Sequence, residues 1–116
     1  MRIIERRLGD VTVVEVFGRM TLTDCPGRIK DKVTSLVFQG RRQIVINLAN
    51  VTYVDSSGLG ELVACHLTAV NNGCAIKIAS AGTRTRELLR LTRLNTIFEC
   101  YDTEVLAIDA FLSVAA

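Results

Sequence analysis

Six consecutive residues, Asp55-Ser56-Ser57-Gly58-Leu59-Gly60, gather the groups in this chain whose types and spacing could do chemistry. An apolar stretch of strand character precedes them and a helical pattern follows. A carboxylate and two hydroxyls therefore sit at a strand-to-helix junction, where open α/β sheets present groups to ligands. Asp and Ser are also preferred helix caps, and capping alone could account for all three side chains. Gly58 and Gly60 need a further reason, because each lowers helix propensity by up to about 1 kcal/mol relative to Ala. Close approach of another backbone or molecule would supply it.

Enzyme motifs do not assemble around this segment. Gly58-Leu-Gly60 is followed by Val63 where a dinucleotide fingerprint needs its third Gly, and no G-x-x-x-x-G-K-S/T phosphate loop occurs. The nucleophile elbow G-x-S-x-G is missing. The one histidine, His66, lies ten residues after Ser56 in the same helical pattern, too far along the axis to act on its hydroxyl. Cys25, Cys65, Cys74 and Cys100 are 40, 9 and 26 residues apart, without a C-x-x-C pair, and read as buried reduced thiols. No catalytic residue, cofactor or metal is expected.

The elements that must hold the junction follow from hydrophobic periodicity. Ile3 to Leu8 and Val11 to Phe17 form a hairpin across Gly9-Asp10, closed by Gly18. Thr23-Asp24 caps a first helix with Pro26 in its first turn and Ile29, Val33, Leu36 and Val37 inward until Gly40. Gln43 to Leu48 is a buried central strand. Ser57 to Asn71 is a second helix, with Leu59, Leu62, Val63, Leu67 and Val70 on its apolar face and Asn72-Gly73 as its stop. Ala75 to Ala79 is a strand, Thr83 to Leu91 a helix with Leu88 and Leu91 inward, Ile97 to Tyr101 a strand, and Asp102 to Ser113 a capped helix. Strict β-α alternation with short connections predicts a mostly parallel sheet of about five strands with an N-terminal hairpin, packed with four helices. In such a sheet the loop from Arg19 to Asp24 emerges at the same end as Asp55-Ser56.

With 116 residues, 49% apolar and 22% charged, the chain has the composition of one ordinary globular α/β domain spanning 1–116. A formal charge of +2 is too small for a nucleic-acid-binding surface. No apolar run approaches the roughly 20 residues of a membrane span, and charges interrupt the first ten residues where a signal peptide would be apolar. Cytoplasm is the expected compartment. All 14 basic residues lie at or before Arg93, and the charges beyond it are acidic. Arg86, Arg90 and Arg93 are spaced to share a helical face, either simply solvated or facing an acidic partner.

Ile44-Val-Ile-Asn-Leu48, Val51-Thr-Tyr-Val-Asp-Ser-Ser-Gly-Leu-Gly60 and Glu87-Leu-Leu-Arg-Leu-Thr-Arg-Leu-Asn-Thr-Ile-Phe98 together resemble the STAS domain family, specifically the single-domain bacterial anti-sigma factor antagonists. The resemblance covers nearly the whole chain. It implies a non-enzymatic switch in transcription regulation. Ser56 would be phosphorylated by an anti-sigma factor that is also a serine kinase, with Ser57 the alternative acceptor. The unphosphorylated form would bind that kinase and release a sigma factor, and a serine phosphatase would reset it. Thr21, Asp24, Asp55, Ser56, Ser57, Gly58, Leu59 and Gly60 would form the partner surface, with no contact to nucleic acid or membrane. Thr21 stands where many members of the family carry an acidic residue. The competing reading is a STAS module that is never phosphorylated and serves as a scaffold or small-molecule sensor in a larger assembly.

Overall fold

A computed structural model describes residues 1–23 and 27–114. β1 (Arg2–Leu8) and β2 (Val11–Met20) form the antiparallel hairpin, followed by α1 (Arg28–Phe38), β3 (Gln43–Val54), α2 (Ser56–Asn71), β4 (Ala75–Ala79), α3 (Thr83–Leu91), a 3₁₀ turn (Leu94–Thr96), β5 (Glu99–Tyr101) and α4 (Glu104–Val114). The five strands lie in chain order, β1 to β5, and every pairing after the hairpin is parallel. The expected architecture is the observed one, with β3 central.

Alternation along the strands divides the core into two layers. Val14 and Val16 of β2 and Ile44, Ile46 and Leu48 of β3 pack with α1, α2 and α3 on one face. Val11, Val13, Val45 and Ala79 meet Ala107 and Phe111 of α4 on the other. Polar side chains fasten α4 to that face: Glu104 accepts hydrogen bonds from Arg6 on β1 and from Asn47 on β3.

Both central strands outrun their expected ends. Gly18 (φ +102°) bends β2 without closing it, and β3 continues past Leu48 to Val54. The register shifts at Glu15/Phe17 and Gly18/Arg19, beyond which Arg19 pairs with Tyr53 and Met20 with Val54. β1 stops pairing at Phe17 and β4 at Asn47, so the ends of β2 and β3 project as a two-stranded, bulged ribbon that carries the candidate site.

Other boundaries and faces also differ from expectation. α1 starts at Arg28, after Gly27 in the left-handed region (φ +74°), and not from a Thr23-Asp24 cap; Asp24, Cys25 and Pro26 lie outside the described residues. Its first-turn amides are satisfied from another helix, Ile29 N donating to Glu61 Oε1 at 2.6 Å and Lys30 N to the same oxygen at 2.9 Å. On α2 the buried stripe is Gly58, Leu59, Leu62, Cys65 and Ala69, while Leu67 and Val70 are exposed. On α3 Leu89 is buried and Leu91 exposed, because the nine-residue helix meets the sheet along Thr85 and Leu89. Arg93 follows that helix with φ +61°, so it does not continue the face of Arg86 and Arg90. Cys65 and Cys74 are buried thiols as expected, whereas Cys100 is exposed, its strand being a short edge.

Candidate functional site

Asp55 sits between the last residue of β3 and the first of α2 in an extended conformation (φ −106°, ψ −175°), the backbone of a helix N-cap. Its carboxylate accepts from Gly58 N at 3.0 Å, and its carbonyl accepts from Leu59 N at 3.1 Å. Asp55 N in turn donates to Met20 O at 3.2 Å, tying the α2 start to the end of β2. The Asp is thus a structural cap, and its carboxylate already occupies one of the first-turn amides, Gly58 N–H.

Ser56 and Ser57 follow as the first two helical residues, and both are exposed. Their neighbours face the other way. Leu59 is 7% exposed, and Gly58 is pressed on β2: a Cβ there would lie 2.4 Å from Met20 O and 3.1 Å from Val54 Cγ1. Close backbone approach therefore explains Gly58. It does not explain Gly60, where a Cβ would meet nothing within 4 Å.

The loop after β2 lies alongside through the Met20–Asp55 contact. Thr21 is only 6% exposed, with its hydroxyl 3.4 Å from that of Thr23. Its side chain is accordingly part of the packing beneath the site and not a rim group, and the exposed groups of this loop are Leu22 and Thr23. Asp24 lies outside the described residues. On the ribbon, Arg19 stacks over the Tyr53 ring at 5.3 Å, adding an exposed cation and an aromatic edge beside Asp55. His66, far along α2, packs edge-on against Phe98 with ring centroids 5.2 Å apart.

The structure therefore brings Thr21, Asp55, Ser56, Ser57, Gly58, Leu59 and Gly60 to one end of the sheet but gives them different tasks. Asp55, Gly58, Leu59 and Thr21 hold the junction; Ser56, Ser57 and Gly60 form its surface. Glu61 was not legible as a site residue. By capping α1 from α2 it braces the two segments that flank the junction, and no local sequence pattern signals a cap supplied from another helix. Among the described residues, no group of three or more His, Cys, Asp or Glu could hold a metal ion, and no helix is long and apolar enough to cross a membrane.

The fold is a five-stranded sheet with three helices on one face and one on the other, presenting hydroxyls at the strand-to-helix junction of its central strand. The chain belongs to the STAS domain family, whose model matches residues 3–107. The anti-sigma-B factor antagonist of Staphylococcus aureus is 30% identical over 93 residues, covering 79% of this chain and 85% of that protein. An anti-sigma factor antagonist structure from Mycobacterium paratuberculosis superposes with a TM-score of 0.84 at 25% identity, covering 94% of this chain and 92% of the other. The Bacillus cell fate determinant SpoIIAA in its phosphorylated form shares the fold at a TM-score of 0.73 and 20% identity, covering 95% of this chain and 99% of its own.

Proposed function

We propose that this chain is an anti-sigma factor antagonist that binds its anti-sigma factor in the unphosphorylated state and is switched off by phosphorylation of Ser56. The anti-sigma factor antagonists named above at 30% and 25% identity support the antagonist role. The observation that carries the switch is the placement of Ser56: an exposed hydroxyl on the first residue of α2, beside a carboxylate that already occupies the cap. A kinase can reach this hydroxyl without unfolding the domain. A phosphate there adds a charge of roughly −1.5 to −2 next to Asp55, turning a small neutral surface into a crowded anionic one. The positive end of the α2 dipole tolerates that charge within the chain. A partner surface fitted to Ser56, Ser57 and Gly60 does not. The change therefore acts at the interface and leaves the fold intact. In this reading the anti-sigma factor is also the serine kinase, a serine phosphatase restores the binding form, and the chain itself catalyses nothing.

Incubation with ATP and the cognate anti-sigma factor, followed by phosphopeptide mapping, tests the assignment. One phosphate on Ser56 is expected, lost in Ser56→Ala and retained in Ser57→Ala. Modification of Ser57 would move the switch by one residue. Absence of modification with an anti-sigma factor that binds would overturn the phosphorylation switch in favour of the scaffold reading.

A further inference from the structure

At the opposite end of β3 from Ser56, Arg7, Asp10, Gly40, Arg41, Arg42 and Gln43 line a cavity of about 300 Å³. Three guanidinium groups share it with one carboxylate, whereas Arg6, Lys32, Lys77 and Arg86 each meet a Glu or Asp. Among the described residues no ion pair joins Arg7, Arg41 or Arg42 to a carboxylate. Arg42 only reaches Gly73 O, at 3.5 Å. Arg41 Nη1 is buried and meets no acceptor among the described residues. A buried guanidinium N–H without an acceptor is destabilising, and neighbouring like charges add to the strain. The C-terminal end of α1 contributes about half a negative charge here, which with Asp10 still falls well short of three positive charges.

We propose that this cavity binds a small phosphorylated anion, held by the guanidinium groups of Arg7, Arg41 and Arg42 that line it. Guanidinium groups match phosphate oxygens by paired, charge-assisted hydrogen bonds, and the three that line this cavity have no carboxylate partner among the described residues. A volume of about 300 Å³ lies at the small end of ligand pockets, which suits a group the size of pyrophosphate better than a whole nucleotide. Nearly the full length of β3 separates the cavity from Ser56, so occupancy leaves the proposed partner surface open.

Calorimetric titration and thermal melts with inorganic phosphate, pyrophosphate and ADP, each against sodium chloride at matched ionic strength, test the site. Pyrophosphate is expected to raise the melting temperature with concentration beyond the salt reference and to bind more tightly than inorganic phosphate. Tighter binding of ADP than of pyrophosphate would identify the phosphates of a nucleotide as the source. Arg41→Ala and Arg7→Ala should each weaken pyrophosphate binding by about tenfold or more, the scale of a lost charge-assisted hydrogen bond. Arg90→Ala, on α3, should leave it unchanged. Arg7 lies on an exposed face of β1, so its variant decides the matter even if Arg41→Ala fails to fold. Equal shifts in sodium chloride, or unchanged affinity in Arg7→Ala, would overturn the proposal.

Discussion

Replacing Gly58 with Ala adds one methyl group where α2 presses on β2. The new Cβ would lie 2.4 Å from Met20 O, 3.0 Å from Met20 Cβ and 3.1 Å from Val54 Cγ1. The nearest of these is backbone, so no side-chain rotation relieves it; the α2 start must move away from the ribbon. Such overpacking typically costs about 1–3 kcal/mol. The movement also lengthens the 3.2 Å hydrogen bond from Asp55 N to Met20 O, worth about 1 kcal/mol. Ala returns about 1 kcal/mol of helix propensity, leaving a net loss of about 1–3 kcal/mol. For a domain of this size that corresponds to a fall in melting temperature of about 4–12 °C. Gly60→Ala is the internal control: the same substitution two residues on meets no atom within 4 Å and should raise the melting temperature by about 2–4 °C. Thermal unfolding followed by circular dichroism reads both. A Gly58→Ala protein as stable as the parent would refute the claim that close packing on Met20 fixes this glycine.

Glu61→Ala should cost about 1–2 kcal/mol by stripping the acceptor from Ile29 N and Lys30 N, and hydrogen exchange at those two amides should accelerate while α3 is unaffected. Burial alone would raise the Glu104 carboxyl, but hydrogen bonds from Arg6 and Asn47 and the Arg6 charge outweigh it and hold the group below the usual carboxylate range. A depressed folded value stabilises the domain above the unfolded Glu value of about 4.3 and loses that contribution as pH falls through the folded value. The stability gap between the parent and Glu104→Gln should therefore be full above about pH 5 and shrink below about pH 4 in melts run across pH. Thr21→Asp should lower stability by about 1–3 kcal/mol, because it places a carboxylate at a position only 6% exposed; an unchanged denaturation midpoint would show that the side chain can turn out to solvent.

The sequence carries the β-α alternation because each crossover has its own punctuation. Ala75–Ala79 and Thr83–Leu91 were readable to the residue, bounded by Gly73 and Gly82 and too short to be ambiguous. The extension of β3 was hidden, since Ala49, Asn50, Thr52 and Tyr53 are exposed and look like loop residues; only pairing with the bulged end of β2 makes them a strand. α2 offered two apolar stripes at helical spacing. Bulky Leu67 and Val70 on one stripe outweighed Cys65 and Ala69 on the other, yet the smaller residues are the ones the core accepts. At the junction, Asp55 as cap and the exposed hydroxyls after it could be read locally. The burial of Thr21 and the reach of Glu61 to α1 could not, because each depends on a contact between segments distant in sequence.

In the proposed switch, one phosphate on Ser56 controls partner binding without altering the fold. The most direct measurement is titration of the cognate anti-sigma factor with the unphosphorylated chain and with the stoichiometrically phosphorylated one, alongside a far-ultraviolet circular dichroism spectrum of each. Tight binding by the first is expected, with a loss of at least about a hundredfold in affinity for the second, equivalent to roughly 3 kcal/mol, and superimposable spectra. Equal affinity of the two forms, or a phosphorylated chain that binds more tightly, would contradict it.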